Sequence, residues 1–230
     1  PNAPWILMEK KIREIAEDLR ILQKEYKHSI SVESNVVLAN AMEYNHSKEF
    51  DLVITSPPYM NGLDYVMNYK IEMGWLGFIK GHKDAKNIKD NMVVCDNVSK
   101  GLIKKFAQSN PKYTNDWLEY IMANIKENIE KRGSYRRYDM PHIVHKYFDD
   151  MYNVMKKVTA SIKRGGRFIL VVGDSLIADV YIPSDLLIAK MGMEQEIGLT
   201  IEKLEKARNR HSGQVRNYRL RETIVTLKKI

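Results

Sequence analysis

Two short apolar runs set the strongest limit on the fold. Residues 50–55 read FDLVIT and residues 168–172 read FILVV. A strand with so little polar alternation has to be covered on both faces, as strands are when helices flank a parallel sheet. Helical periodicity surrounds these runs. Across residues 4–27, Trp5, Met8, Ile12, Ile15, Leu19 and Leu22 recur at spacings of three and four, which gives one apolar stripe. Asp116–Lys131 places Leu118, Ile121, Met122, Ile125 and Ile129 on one side, and His142–Lys163 is a second long amphipathic segment with Gly165-Gly166 as its stop. A further helix is predicted over Pro183–Met191, with Pro183 in its first turn.

Helices alternating with buried strands predict an α/β fold with a mostly parallel sheet. Further strands are predicted at Ile30–Leu38, Leu199–Leu204 and Glu222–Lys228, the last pair forming an antiparallel edge hairpin. Tyr65–Phe78 reads as one helix. Residues 79–112, rich in Lys, Asn, Asp and Gly, read as a mobile stretch within a partly helical insertion over 79–140 of one domain spanning 1–230. Residues 206–219 read as basic and irregular.

Composition narrows the partners. Lys and Arg total 37 against 29 Asp and Glu, a formal charge of +8. Such a field favours anionic partners, although many basic proteins bind no nucleic acid. Cys95 is alone, so neither an internal disulfide nor a cysteine metal cluster is available, and a reducing cytoplasmic setting is expected. His142 and His145 stand three apart, yet no carboxylate or cysteine completes a metal site, so none is expected. No apolar run approaches the roughly 20 residues of a membrane span.

The chemistry is concentrated in Asp51-Leu52-Val53-Ile54-Thr55-Ser56-Pro57-Pro58-Tyr59. A strand carries the chain to the carboxyl edge of the sheet, where ligands bind in open α/β folds. Two consecutive prolines then fix two φ angles and remove two N–H donors. The carbonyls of Ser56 and Pro57 are held outward beside the flat ring of Tyr59. Stiff acceptors next to a stacking platform suit a planar group bearing an exocyclic NH2. The acceptors take both amino protons and favour a tetrahedral nitrogen whose lone pair can attack an electrophilic methyl. The ring of a base flipped from its duplex stacks on Tyr59. Neither a metal nor a covalent nucleophile is required, because positioning and electrostatics do the work. The plainer alternative is a Pro-Pro turn leaving a buried strand.

Thr55-Ser56-Pro57-Pro58-Tyr59 resembles the catalytic motif of the DNA amino-methyltransferases, which methylate N4 of cytosine or N6 of adenine. The resemblance implies a class I, Rossmann-like fold, S-adenosylmethionine as cofactor, DNA as partner and a role such as restriction–modification. The Ser form preceded by Thr favours N4 of cytosine over N6 of adenine. Val36–Ala41 is similar to the family's cofactor-edge strand and turn, Gly165–Asp174 to its next strand, and Arg221–Leu227 to its closing hairpin strand. On this basis Asn40, Ala41, Met42 and Thr55 are expected at the cofactor, although family members often carry Asp where Asn40 stands. Asp64, Tyr65 and Asp174 are expected at the base pocket, and a helix-start role for Asp64 or a turn role for Asp174 is equally open.

Lys203, Lys206, Arg208, Arg210, His211, Arg216, Arg219 and Arg221 form a run suited to phosphate contact, with a solvated face as the alternative. Lys131–Arg137, with Tyr135 and Tyr138, forms a second basic patch suited to stacking on bases.

The sequence departs from the family in one respect. The family holds the methionine end of its cofactor on a Phe-x-Gly-x-Gly turn, and this chain has none. The turn has been removed, lies on a second chain, or has been lost with activity; Pro1 at the start and the opening helix favour a missing amino-terminal segment or a partner chain. Two rival functions remain open on the sequence: an RNA or protein-amide methyltransferase with a related loop, and a non-catalytic nucleic-acid-binding subunit of a split methyltransferase.

Overall fold

The computed structural model describes residues 3–27, 32–45, 49–211 and 219–230, with Arg210 and His211 described through their backbone. The chain divides into two compact units, residues 1–38 and 39–230.

The first unit is built on helix α1, Ala3–Glu25. Its charged face carries exposed pairs one helical turn apart, Lys11–Glu14 and Arg13–Glu9, each at 2.6 Å. The apolar stripe read from the sequence is present, but Trp5, Met8, Ile12, Ile15, Leu19 and Leu22 are all exposed. The strand predicted at Ile30–Leu38 does not form. Residues 30 and 31 lie outside the described residues, and 32–38 carry no strand. A β-branched segment becomes a strand only when a neighbour satisfies its backbone, and among the described residues none pairs with it.

The second unit holds the sheet. Strand β1, Phe50–Thr55, is followed by a helical region: α2 (Tyr65–Asn68), α3 (Lys70–Trp75), α4 (His82–Asp90), α5 (Lys100–Ala107), α6 (Asp116–Arg132) and α7 (Met140–Ala160). Then come β2 (Ile162–Gly173), β3 (Ser175–Ile177), β4 (Val180–Ile182), α8 (Ser184–Gly192), β5 (Leu199–His211) and β6 (Arg219–Lys229). The main sheet runs β1-β2-β6-β5, with β1 parallel to β2 and β6 antiparallel to both β2 and β5. The fold is therefore mixed α/β with a parallel pair at its centre of interest. Strands β3 and β4 form a separate hairpin whose two-residue turn, Ala178-Asp179, has both φ angles positive, the geometry that matches strand twist.

One face of the sheet builds the core. Phe168, Leu170 and Val172 of β2 pair in register with Leu227, Val225 and Thr223 of β6, and all are buried. Against them pack Ile143, Tyr147, Met151 and Met155 of α7 and Leu187, Ile188 and Met191 of α8.

Several boundaries differ from those predicted. The helix predicted over Tyr65–Phe78 is two short helices meeting at Tyr69. Residues 79–112 form α4 and α5, with Val94, Val98, Ile103 and Phe106 buried, so this stretch is anchored structure. The anchors are two carboxylates of α7: Asp150 accepts from the Val94 amide at 3.1 Å, and Asp149 from the Lys112 and Tyr113 amides at 2.5 and 3.0 Å. Helix α7 ends at Ala160, and Gly165-Gly166 lies inside β2, where the register against β1 shifts between Phe50 and Leu52. Gly165 takes up the left-handed conformation this requires, with φ +79°. The basic segment predicted to be irregular is strand as far as His211; residues 212–218 lie outside the described residues.

Candidate active site

Strand β1 ends at Thr55, paired with Leu170, and delivers Ser56-Pro57-Pro58-Tyr59 to the carboxyl edge of the parallel pair. Local chemistry explains the turn that follows. Pro57 and Pro58 cannot extend the ladder, and the Gly62 amide returns to the Tyr59 carbonyl at 3.0 Å. A side chain at Gly62 would press within 3.1 Å of Tyr59, so the turn closes tightly because position 62 is glycine.

Four elements hold this loop from outside. The Tyr147 hydroxyl of α7 donates to the Pro58 carbonyl at 2.9 Å. The Asp96 amide donates to the Met60 carbonyl at 3.1 Å, and the Ser175 hydroxyl to Asn61 Oδ1 at 2.9 Å. The Tyr59 hydroxyl donates to Glu222 Oε1 of β6 at 2.5 Å. Burial, and to a lesser extent the neighbouring Tyr59, pushes the Tyr147 phenol above its ordinary range, so it stays protonated as a donor. The loop carbonyls are therefore not equivalent. Those of Pro58 and Tyr59 are engaged, while no described hydrogen bond ends on those of Ser56 and Pro57. Ser56 is exposed, Tyr59 is half-buried and Pro57 is buried. The Ser56 hydroxyl reaches the Val171 carbonyl at 3.5 Å, the outer limit of a bond.

Of the loop, only Ser56 is exposed to solvent. The cavity lined by Pro58, Asp64 and Tyr65 holds about 10 Å³, enough for one water at most. The larger concavities, 450 and 550 Å³, are lined by other residues, along α6–α7 and between α2 and α4. Among the described residues, none of these cavities encloses a space of nucleobase size against Tyr59.

The remaining candidate residues are distributed as follows. Asp64 caps α2, accepting from the Met67 amide at 3.1 Å, and pairs with Lys89 at 2.5 Å; Tyr65 opens that helix and is exposed. Asn40, Ala41 and Met42 form a turn in which Asn40 Oδ1 accepts from the Met42 amide at 3.1 Å. Asp174 is fully buried and accepts from the Tyr181 hydroxyl and from Arg221 Nε, the latter at 3.1 Å. Burial holds its carboxyl above the usual carboxylate range. Arg221 also reaches Asp185 at 3.3 Å, so Arg221 and Asp174 belong to a network against α8. Arg208 lies on β5 and pairs with Glu222. Arg210 and His211 are backbone-paired with Leu220 and Arg219, and Arg216 lies outside the described residues. In the patch over Lys131–Arg137, Arg132 pairs with Asp179, Arg136 with Asp96, and Arg137 with Asp139, so these three cations are engaged within the chain.

Sequence reasoning missed Glu222, Tyr147 and Asn61. Only Glu222 carried a signal, as a carboxylate in a strand that otherwise alternates with apolar residues. Nothing in the sequence marks Tyr147 among the aromatic residues of α7.

Fold and loop together define a mixed α/β protein presenting a Ser-Pro-Pro-Tyr turn where its parallel pair ends. Comparison with known proteins places it beside type II methyltransferases. It is 27% identical over 158 residues to the Type II methyltransferase M.AvaI of Nostoc sp. (strain PCC 7120 / SAG 25.82 / UTEX 2576), covering 67% of this chain and 32% of the relative. The match to M.AvaI of Anabaena variabilis has the same identity and extent. The Type II methyltransferase M.BsoBI of Geobacillus stearothermophilus is 24% identical over 225 residues, covering 89% of this chain and 43% of the relative. The chain spans less than half the length of these curated relatives. No family model matches it.

Proposed function

We propose that this chain is the catalytic-loop portion of an S-adenosylmethionine-dependent DNA amino-methyltransferase with a Rossmann-like class I architecture. The acceptor is the exocyclic amine of a flipped base, N4 of cytosine in preference to N6 of adenine, and the setting is restriction–modification. The observation that carries this reading is the division of labour among the loop carbonyls. Tyr147 takes that of Pro58, while no described hydrogen bond ends on those of Ser56 and Pro57, which precede Tyr59 at the end of β1. Two adjacent acceptors match the two protons of one amino group. Holding both protons draws the nitrogen toward a tetrahedral form and frees its lone pair. Tyr59 stacks on the base, an interaction worth about 1–3 kcal/mol.

The described residues do not form a complete cofactor site. The Asn40 side-chain oxygen is spent inside its own turn, and the chain contains no Phe-x-Gly-x-Gly turn. S-adenosylmethionine supplies the electrophilic methyl when bound. A second chain or a further segment carrying the Gly-rich turn completes its site, in keeping with the greater length of the relatives.

The test is transfer of labelled methyl to duplex oligonucleotides by the full-length protein with any partner chain present. We expect label on cytosine-containing DNA, no label on the matching RNA, and a rate about 10–100-fold lower for Tyr59→Ala, the value of one stacking contact. Label on RNA alone, or none on DNA in the presence of measurable S-adenosylmethionine binding, overturns the reading.

A further inference from the structure

Glu222 is a carboxylate in the interior of β6, only 6% exposed, on a strand whose next residues are threonine, isoleucine and valine. Successive strand residues face opposite sides of a sheet. Arg221 and Thr223 turn toward Asp174 and Asp185 on the α8 side, whereas Glu222 turns toward the loop. A buried carboxylate is expensive to desolvate and is retained where both oxygens are satisfied. Here they are: Oε1 accepts the Tyr59 hydroxyl at 2.5 Å, and Oε2 accepts Arg208 Nε. The Arg208 side chain is largely exposed, and the carboxylate beside it raises its basicity further, so it remains a cation.

The ring of Tyr59 is thus fixed at both ends, by the proline-rigid backbone at one and by Glu222 at the other. We infer that Glu222 is a positioning residue: it sets the plane of the Tyr59 ring and couples that ring, through Arg208, to the outer strand of the basic hairpin. This rests on Tyr59 being the platform on which the flipped base stacks. An aromatic ring held only through its Cβ swings about two torsions, and a hydrogen bond at the para position removes that freedom. Misplacement of a reacting group by about 1 Å lowers rate by about 100-fold. The linkage also gives the hairpin a direct route to the site, because movement of Arg208 toward a phosphate alters the partner that aligns the ring.

The experiment is a double-mutant cycle in the full-length protein, using Glu222→Ala, Tyr59→Phe and the pair, with kcat and KM for duplex DNA measured separately. Tyr59→Phe keeps the ring and removes only the hydroxyl. Each single change is expected to lower kcat by about 10–100-fold, with KM for DNA changed less than about threefold and the double variant no slower than the slower single. Glu222→Gln, which can still accept from the phenol, is expected to recover most of kcat. Losses that multiply in the double variant, or an unchanged kcat for Glu222→Ala, overturn the inference. A wild-type protein that transfers no methyl overturns the function instead. The same cycle read by urea denaturation then decides the Tyr59–Glu222 coupling, and additive shifts there sink the positioning role.

Discussion

At the scale of single residues, two glycines predict opposite responses to the same added methyl group. A Cβ at Gly166 would meet the carbonyl oxygens of Asp51 and Lys163, each at 2.9 Å, and Ile162 Cγ2 at 2.8 Å. Two of those neighbours are backbone of the β1–β2 ladder and cannot turn aside. Gly166→Ala should therefore destabilise by about 1–3 kcal/mol, the usual range for overpacking. Gly101 in α5 has nothing within 4 Å. Gly101→Ala should stabilise by up to about 1 kcal/mol by narrowing the unfolded ensemble. Urea midpoints of the two variants check both signs, and a stabilised Gly166→Ala would refute the close approach. This contrast was illegible in the sequence, where Gly165-Gly166 reads as a helix stop. The glycines instead serve a bulge required by the register of β1, which no local pattern encodes. The Ser-Pro-Pro-Tyr turn was legible, because proline imposes its geometry without tertiary help.

Among the elements, α7 carries the clearest electrostatic consequence. Asp150 lies buried on this helix, held to Lys146 at 2.8 Å and to the Val94 amide. Burial pushes its carboxyl above the usual range, and Lys146 offsets only part of that. A folded pKa above the unfolded one gives a stabilising contribution that is complete at pH below the ordinary carboxylate value. That contribution is lost as pH rises through the raised value. Asp150→Asn removes the titration, so its stability relative to wild type should climb across that interval. Denaturation midpoints at a series of pH values provide the check, and a constant difference would refute it. The helices α6 and α7 were legible from their apolar periodicity, and α8 from Pro183 at its first turn. The packing of residues 79–112 was not, since its Lys- and Asn-rich composition conceals four scattered core residues and depends on Asp149 and Asp150, 37 and 56 positions away from the amides they hold at Lys112 and Val94.

For the whole molecule, among the described residues the main sheet stops at β1. This strand has the composition of a sheet interior, yet Leu52 is 48% exposed and Ile54 64%. An apolar edge with unpaired backbone is a template for association. The 230-residue chain produced alone should therefore self-associate with rising concentration in sedimentation velocity. Leu52→Lys with Ile54→Lys should weaken that association while lowering stability by less than about 1 kcal/mol, as surface changes do. A monomer at every concentration would contradict this. The sequence announced β1 as a doubly covered strand, whereas its Leu52 and Ile54 side chains are exposed. The Tyr147 bond to the Pro58 carbonyl has a kinetic corollary. Its phenol sits in the interior of the core, so loosening the turn at Pro58 requires a buried hydrogen bond to break, which costs about 1–3 kcal/mol. On the proposed function, a nucleotide arriving at this loop meets a backbone already fixed at Pro58, so its capture does not wait for that carbonyl to be placed.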